Sequence, residues 1–238
     1  GNFTILDKAN MQTAIIDDSY LKKTKYYILL DTETTNEMPD QLVYDLGFVV
    51  TDKQGNIYER YSLIISDIFI EQERLMATAY YAEKLPQYYD GIRNREWVVC
   101  TLNQARIIIA RLMKEYDINT VLAYNMDFVR RALRNTERYV TKSKYRYFFP
   151  YGMEICDTLK MARDVIAPMP TYKKFCSENG YVTSNGKPQL KAETIYRFLT
   201  RDTNFIESHT GLEDVMIEKE ILAYCYRQHK KMRRLLWE

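Results

Sequence analysis

The sequence predicts a mixed α/β fold, in which three antiparallel strands are followed by strands alternating with helices that flank a single sheet. Three observations carry this expectation. A continuous apolar run, Lys25-Tyr-Tyr-Ile-Leu-Leu-Asp31, ends on an acid, the pattern of a strand buried on both faces. Two further strand-like stretches, residues 42–51 and 57–65, flank Asp52-Lys-Gln-Gly-Asn56, whose turn residues make an antiparallel hairpin the economical connection. Beyond Glu71 the apolar period lengthens to helical spacing.

Taken in order, residues 1–24 are polar with few periodic cues and read as an N-terminal extension to a domain over 25–238. Leu102, Ala105, Ile109, Leu112 and Met113 form an amphipathic stripe that closes before a short strand at 120–124. A helix from Asp127 to about Arg138 follows, then a strand at 154–156 that enters a helix at Asp157, whose carboxylate suits an N-cap. Pro168 and Pro170 are expected to terminate that helix. A Gly- and Pro-containing loop over 179–188 separates it from a helix at 190–199, and a last helix is expected over 212–236.

Composition bounds the function. The 34 Lys and Arg nearly cancel 32 Asp and Glu, so the chain is not a polyelectrolyte. No apolar run approaches the roughly 18 to 20 residues that cross a bilayer, and no secretory core is visible near the start. The four cysteines lie far apart, which fits buried free thiols in a reducing compartment better than zinc ligands. The 21 tyrosines fit strand packing better than a base-stacking surface. No Gly-rich phosphate loop or nucleophile elbow is present, so ATPase and serine-hydrolase readings have no support.

Two motifs carry chemistry. In Asp31-Thr-Glu33-Thr34 the acids stand two apart on a strand and therefore share a face, where a divalent cation would resolve their repulsion; alone, such a pair is a weak signal, because acids often flank strand ends as solvated caps. His209-Thr-Gly-Leu-Glu-Asp214 places an imidazole in a loop and an acid one turn into the last helix, a pairing suited to proton transfer and metal ligation, or simply an acid on the helix dipole beside an incidental His. Seven cations between Arg130 and Arg146, with Glu137 the only acid among them, make a local basic field interleaved with aromatics, which reads either as a surface for phosphates and unpaired bases or as a solvated helix face followed by a strand that packs its aromatics inward.

Together these motifs resemble the DEDDh 3'-5' exonucleases of the ribonuclease H-like fold, especially the proofreading epsilon-subunit type of DNA polymerase III and its phage relatives. Residues 27–35 look like the first exonuclease motif, Tyr44-Asp-Leu-Gly-Phe-Val-Val50 is similar to the strand after it, and His209 and Asp214 match the third motif's spacing. The resemblance implies hydrolysis of phosphodiester bonds at 3' ends of single-stranded DNA or RNA with two Mg2+ or Mn2+ ions. It makes Asp31, Glu33 and Asp214 ligands of the first ion, Asp31 and a second-motif acid ligands of the other, and His209 the general base. Thr32, Thr34, Asn125, Arg130, Arg131 and Arg134 become nucleic-acid contacts. A polymerase or replisome partner, a phage replication role and a cytoplasmic location, bacterial for a phage protein, are further implications.

The second motif departs from the pattern. The family's Asn-x-x-Phe-Asp reads Asn125-Met-Asp127-Phe-Val129 here, so Val129 stands where an aspartate is expected. Asp127, two residues earlier on a helix, is rotated by roughly 200° about its axis. Three readings stay open: Asp127 supplies the ligand through altered local geometry, the second metal site is weakened, or the protein binds nucleic acid or a protein partner without cutting.

Overall fold

In the computed structural model, described over residues 23–37, 40–79, 82–144 and 147–237, six strands form one sheet in the order β4-β3-β2-β1-β5-β6. Strands β1 (Tyr27–Thr34), β2 (Val43–Thr51) and β3 (Ile57–Ile65) pair antiparallel, as the hairpin chemistry predicts. Strands β5 (Thr120–Ala123) and β6 (Glu154–Asp157) extend the sheet in parallel beside β1. The three-residue β4 (Val98–Cys100), too short to show a period, adds a parallel edge beside β3. The expected extension over 1–24 lies outside the described residues, apart from 23 and 24, as do Tyr145 and Arg146 of the basic segment.

Nine α-helices occur among the described residues. Two single turns, α1 (Ser66–Phe69) and α2 (Glu73–Met76), lead into α3 (Leu85–Arg93). Helix α4 (Leu102–Glu115) opens on a Thr101–Gln104 capping box and buries the stripe read from the sequence. After α5 (Met126–Val140) and α6 (Thr158–Val165), capped by Asp157, comes a departure from expectation. Pro170 starts α7 (Pro170–Asn179), because a proline is well placed in a first helical turn, where its missing N–H would have no partner. Helix α8 is Ala192–Thr200. The last helix, α9, runs Gly211–Arg227 and gives way at Gln228 to 3-10 turns, shorter than the expected 212–236. None of these helices is long and apolar enough to cross a membrane.

The sheet divides the core. Ile28 and Leu30 of β1 face α4 and α5, whereas Tyr27 and Leu29 face α6, α8 and α9. Tyr44, Tyr88 and Tyr172 are fully buried, so tyrosine serves the interior as expected. Burial of each aliphatic side chain contributes about 1.5 to 3 kcal/mol, so Ile28, Leu29 and Leu30 together hold the end of β1 against the repulsion of the acids that follow. Strand alternation then carries Asp31 and Glu33 onto the Leu29 face, beneath α9.

Candidate active site

Helix α9 approaches β2 as closely as backbones can. A Cβ on Gly47 would lie 2.1 Å from Leu212 N, and one on Gly211 would lie 2.6 Å from Gly47 N. The Gly211 N–H donates to Asp45 Oδ2 at 2.9 Å, and the Tyr88 hydroxyl donates to the same oxygen, so a strand carboxylate caps the helix start. That docking sets the third motif against the first. Asp214 is 3% exposed, and its Oδ1 accepts the His209 N–H at 3.2 Å. His209 adopts a left-handed φ of 57°, a conformation costing a β-carbon-bearing residue about 1 to 3 kcal/mol. Ligand atoms of Glu33, His209 and Asp214 all fall within 4.8 Å of one another.

A cavity of about 490 Å3 opens over Glu33 and Asp214, lined also by Asp31, Glu207 and Glu218, by Tyr124 and Asn125 from the β5–α5 turn, and by the cations Arg163 and Lys191. Burial is the first cause of the raised carboxyl pKa values, and mutual repulsion adds to it. Glu33 is pushed up to about 11 by burial and then by Asp31 and Asp214. Asp214 rises to about 8 through burial and Glu207, and Glu207 to about 7 through burial and Glu193. Asp31 and Glu218 are driven well above the usual carboxylate range by burial, each raised further by the other anions of the cavity. His209 is lowered, by burial and then by the Lys84 ammonium, which favours a neutral imidazole. So many carboxyls with displaced pKa values at one point demand either shared protons or a cation.

The structure gathers Asp31, Glu33, His209 and Asp214 as the sequence anticipates, but it does not bring Asp127 to them. Asn125, left-handed at φ 63°, precedes a helix whose Met126 and Val129 turn into the core. Asp127 is thereby rotated outward, onto the side of α5 that carries Arg130, Arg131 and Arg134. These four residues line a separate cavity of about 600 Å3 with Tyr147, Phe149 and Tyr151. None of the three arginines has a carboxylate partner among the described residues, and Tyr147 is 70% exposed. Asn125 lines the acidic cavity, whereas Thr32 points to the opposite face of β1, its hydroxyl buried and without a hydrogen-bond partner among the described residues.

Sequence reasoning missed Glu207, Glu218, Arg163 and Lys191 in this cavity. Glu218 had a legible signal, since it follows Asp214 by four residues and so shares its helical face. The others approach from separate segments and carry no spacing cue. Asp157, read as a cap, accepts from Leu159 N and from Asn125 N, both at 2.9 Å, and so fixes the β5–α5 turn at the cavity rim.

No protein-family model matches the chain, and no curated protein matches it significantly. Solved structures do resemble it. One is a 3'-exonuclease described in the 3'-end specific recognition of a histone mRNA stem-loop, with TM-score 0.57, 11% identity, and coverage of 96% of this chain and 73% of that one. Another is E. coli exonuclease I in complex with a 5cy-dT13 oligonucleotide, with TM-score 0.53, 15% identity, and coverage of 87% of this chain and 42% of that one. The zinc-ion-bound form of E. coli exonuclease I with single-stranded DNA gives TM-score 0.52 at 15% identity, covering 87% of this chain and 42% of that one. The chain thus spans less than half the length of those exonuclease I chains. At these identities the likeness shows the fold, a ribonuclease H-like mixed sheet flanked by helices.

Proposed function

We propose that this chain is a metal-dependent 3'-5' exonuclease of the DEDDh type, acting at 3' ends of single-stranded DNA or RNA through a domain over residues 25–238. The convergence of Glu33, His209 and Asp214 within 4.8 Å, with Asp31 lining the cavity that Glu33 and Asp214 share, is the observation that carries this reading. The residues fit hard divalent cations. Carboxylate oxygens dominate the donor set, no thiol lines the cavity among the described residues, and the anions raise one another's pKa in a way that a cation would reverse.

Asp31, Glu33 and Asp214 would hold such an ion. Bound there, Mg2+ or Mn2+ supplies the positive charge that acidifies a water molecule and offsets charge building on the phosphate oxygens. His209, kept neutral by burial and Lys84, would accept the proton of an attacking water on a ring nitrogen. Arg163 and Lys191, exposed at the rim and without carboxylate partners among the described residues, orient the scissile phosphate. The cavity of Arg130, Arg131 and Arg134 offers cations for the strand's phosphates beside exposed rings for its bases, which supports a single-stranded ligand. A replication role in a phage, beside a polymerase or replisome in a bacterial cytoplasm, rests on the motif resemblance in residues 27–35 and 209–214.

A binding protein with impaired catalysis is the second reading, favoured by Val129, which is 1% exposed in the apolar core and offers no ligand. A single strand incubated with Mg2+ or Mn2+, with and without chelator, separates the two. Nucleotide release that needs the cation and disappears in Asp31→Ala is expected for the exonuclease; binding without release at high protein concentration selects the second reading.

A further inference from the structure

We propose that Glu218 supplies the carboxylate that the second motif lacks, so that the cavity retains a full set of acidic ligands for two divalent ions. This inference rests on the metal-dependent reading above. The motif position itself is closed, because Val129 packs among Met126, Ala132 and Leu133. Asp127 lies on the arginine cavity and not on the acidic one. Glu218 has what both lack. It lines the acidic cavity, is 3% exposed, and its Oε2 has no hydrogen-bond partner among the described residues.

Its position makes an incidental origin costly. Helix α9 buries Val215, Ile217, Ile221 and Leu222 around Glu218, and no ion pair among the described residues reaches it. A buried carboxylate with no partner costs several kcal/mol unless a proton or cation neutralises it. One turn separates it from Asp214, so the rigid helix that positions a first-ion ligand also presents Glu218. Among charged neighbours, Asp31 acts on it most strongly, and Asp31 is the residue expected to be shared between the two ions. The second ligand thus comes from α9 instead of α5.

Calorimetric titration of the full chain with Mn2+, without nucleic acid, tests this directly. Wild-type protein and Asp127→Asn are expected to bind two ions, whereas Glu218→Gln binds one, or binds the second at least tenfold more weakly. Two ions of unchanged affinity in Glu218→Gln, or loss of one in Asp127→Asn, would overturn the assignment while leaving the metal-dependent reading intact. A wild-type protein that binds no Mn2+ would remove that reading itself. Glu218→Met, similar in volume and uncharged, provides a second folded variant, and both are expected to melt in chelator no lower than wild type because a buried carboxyl group without a hydrogen-bond partner among the described residues is gone.

Discussion

Val129 is buried in the apolar core with Met126, Ala132 and Leu133 of α5, and that burial decides what an aspartate at this position would do. Val129→Asp would exchange a buried aliphatic group for a carboxylate without a partner, and should destabilise the fold by about 3 to 5 kcal/mol in denaturant titration. Cleavage should not increase. At the same scale, the motif residues on β1 were legible because a period of two puts Asp31 and Glu33 on one face whatever lies around them. His209 and Asp214 were legible through spacing at a helix start. Glu207 and Lys191 were not, because they reach the cavity from loops whose course depends on tertiary packing.

Docking of α9 on β2 is what makes the site a site. Gly47→Ala would force a Cβ against Leu212 backbone, and Gly211→Ala one against Gly47 N and the buried Asp45 carboxylate, so in both the backbone has to move. Each should cost about 1 to 3 kcal/mol by overpacking, and should weaken Mn2+ binding as well, since Asp214 and His209 move with the helix start. Melting temperature and a Mn2+ titration of the same variants check both. Strands β1 to β3 and helix α4 could be read from the sequence because long periodic segments express their burial locally. Helix α7 could not, since Pro170 signals a helix end as readily as a helix start. The early end of α9 depends on turns at 229–231 and 234–236 that have no strong local signature.

For the whole molecule, the net charge of +2 averages over opposed regions, an acidic cavity beside β1 and a cationic one beside α5. The acidic region sets how stability depends on pH. Carboxyls whose folded pKa is raised bind more protons in the native than in the unfolded chain, so their contribution is complete below the ordinary carboxylate range. It is lost as pH rises through about 6 for Asp45, 7 for Glu207 and 8 for Asp214. Metal-free protein should therefore melt higher at pH 5.5 than at pH 8, and added Mg2+ should raise the melting temperature more at pH 8. The cationic region sets the salt dependence. Neutralising Arg130, Arg131 and Arg134 should lower the slope of log affinity for a single strand against log salt by about 2, at roughly 0.7 per phosphate contact.

The most direct measurement follows a 5'-labelled single strand through time in Mg2+ or Mn2+, with the released products sized in parallel. The proposed chemistry at Asp31, Glu33, Asp214 and His209 gives a ladder that shortens from the 3' end with mononucleotide release, abolished by chelator and by Asp31→Ala. Internal cuts, immediate loss of the 5' label, or an intact strand at high protein concentration would contradict it.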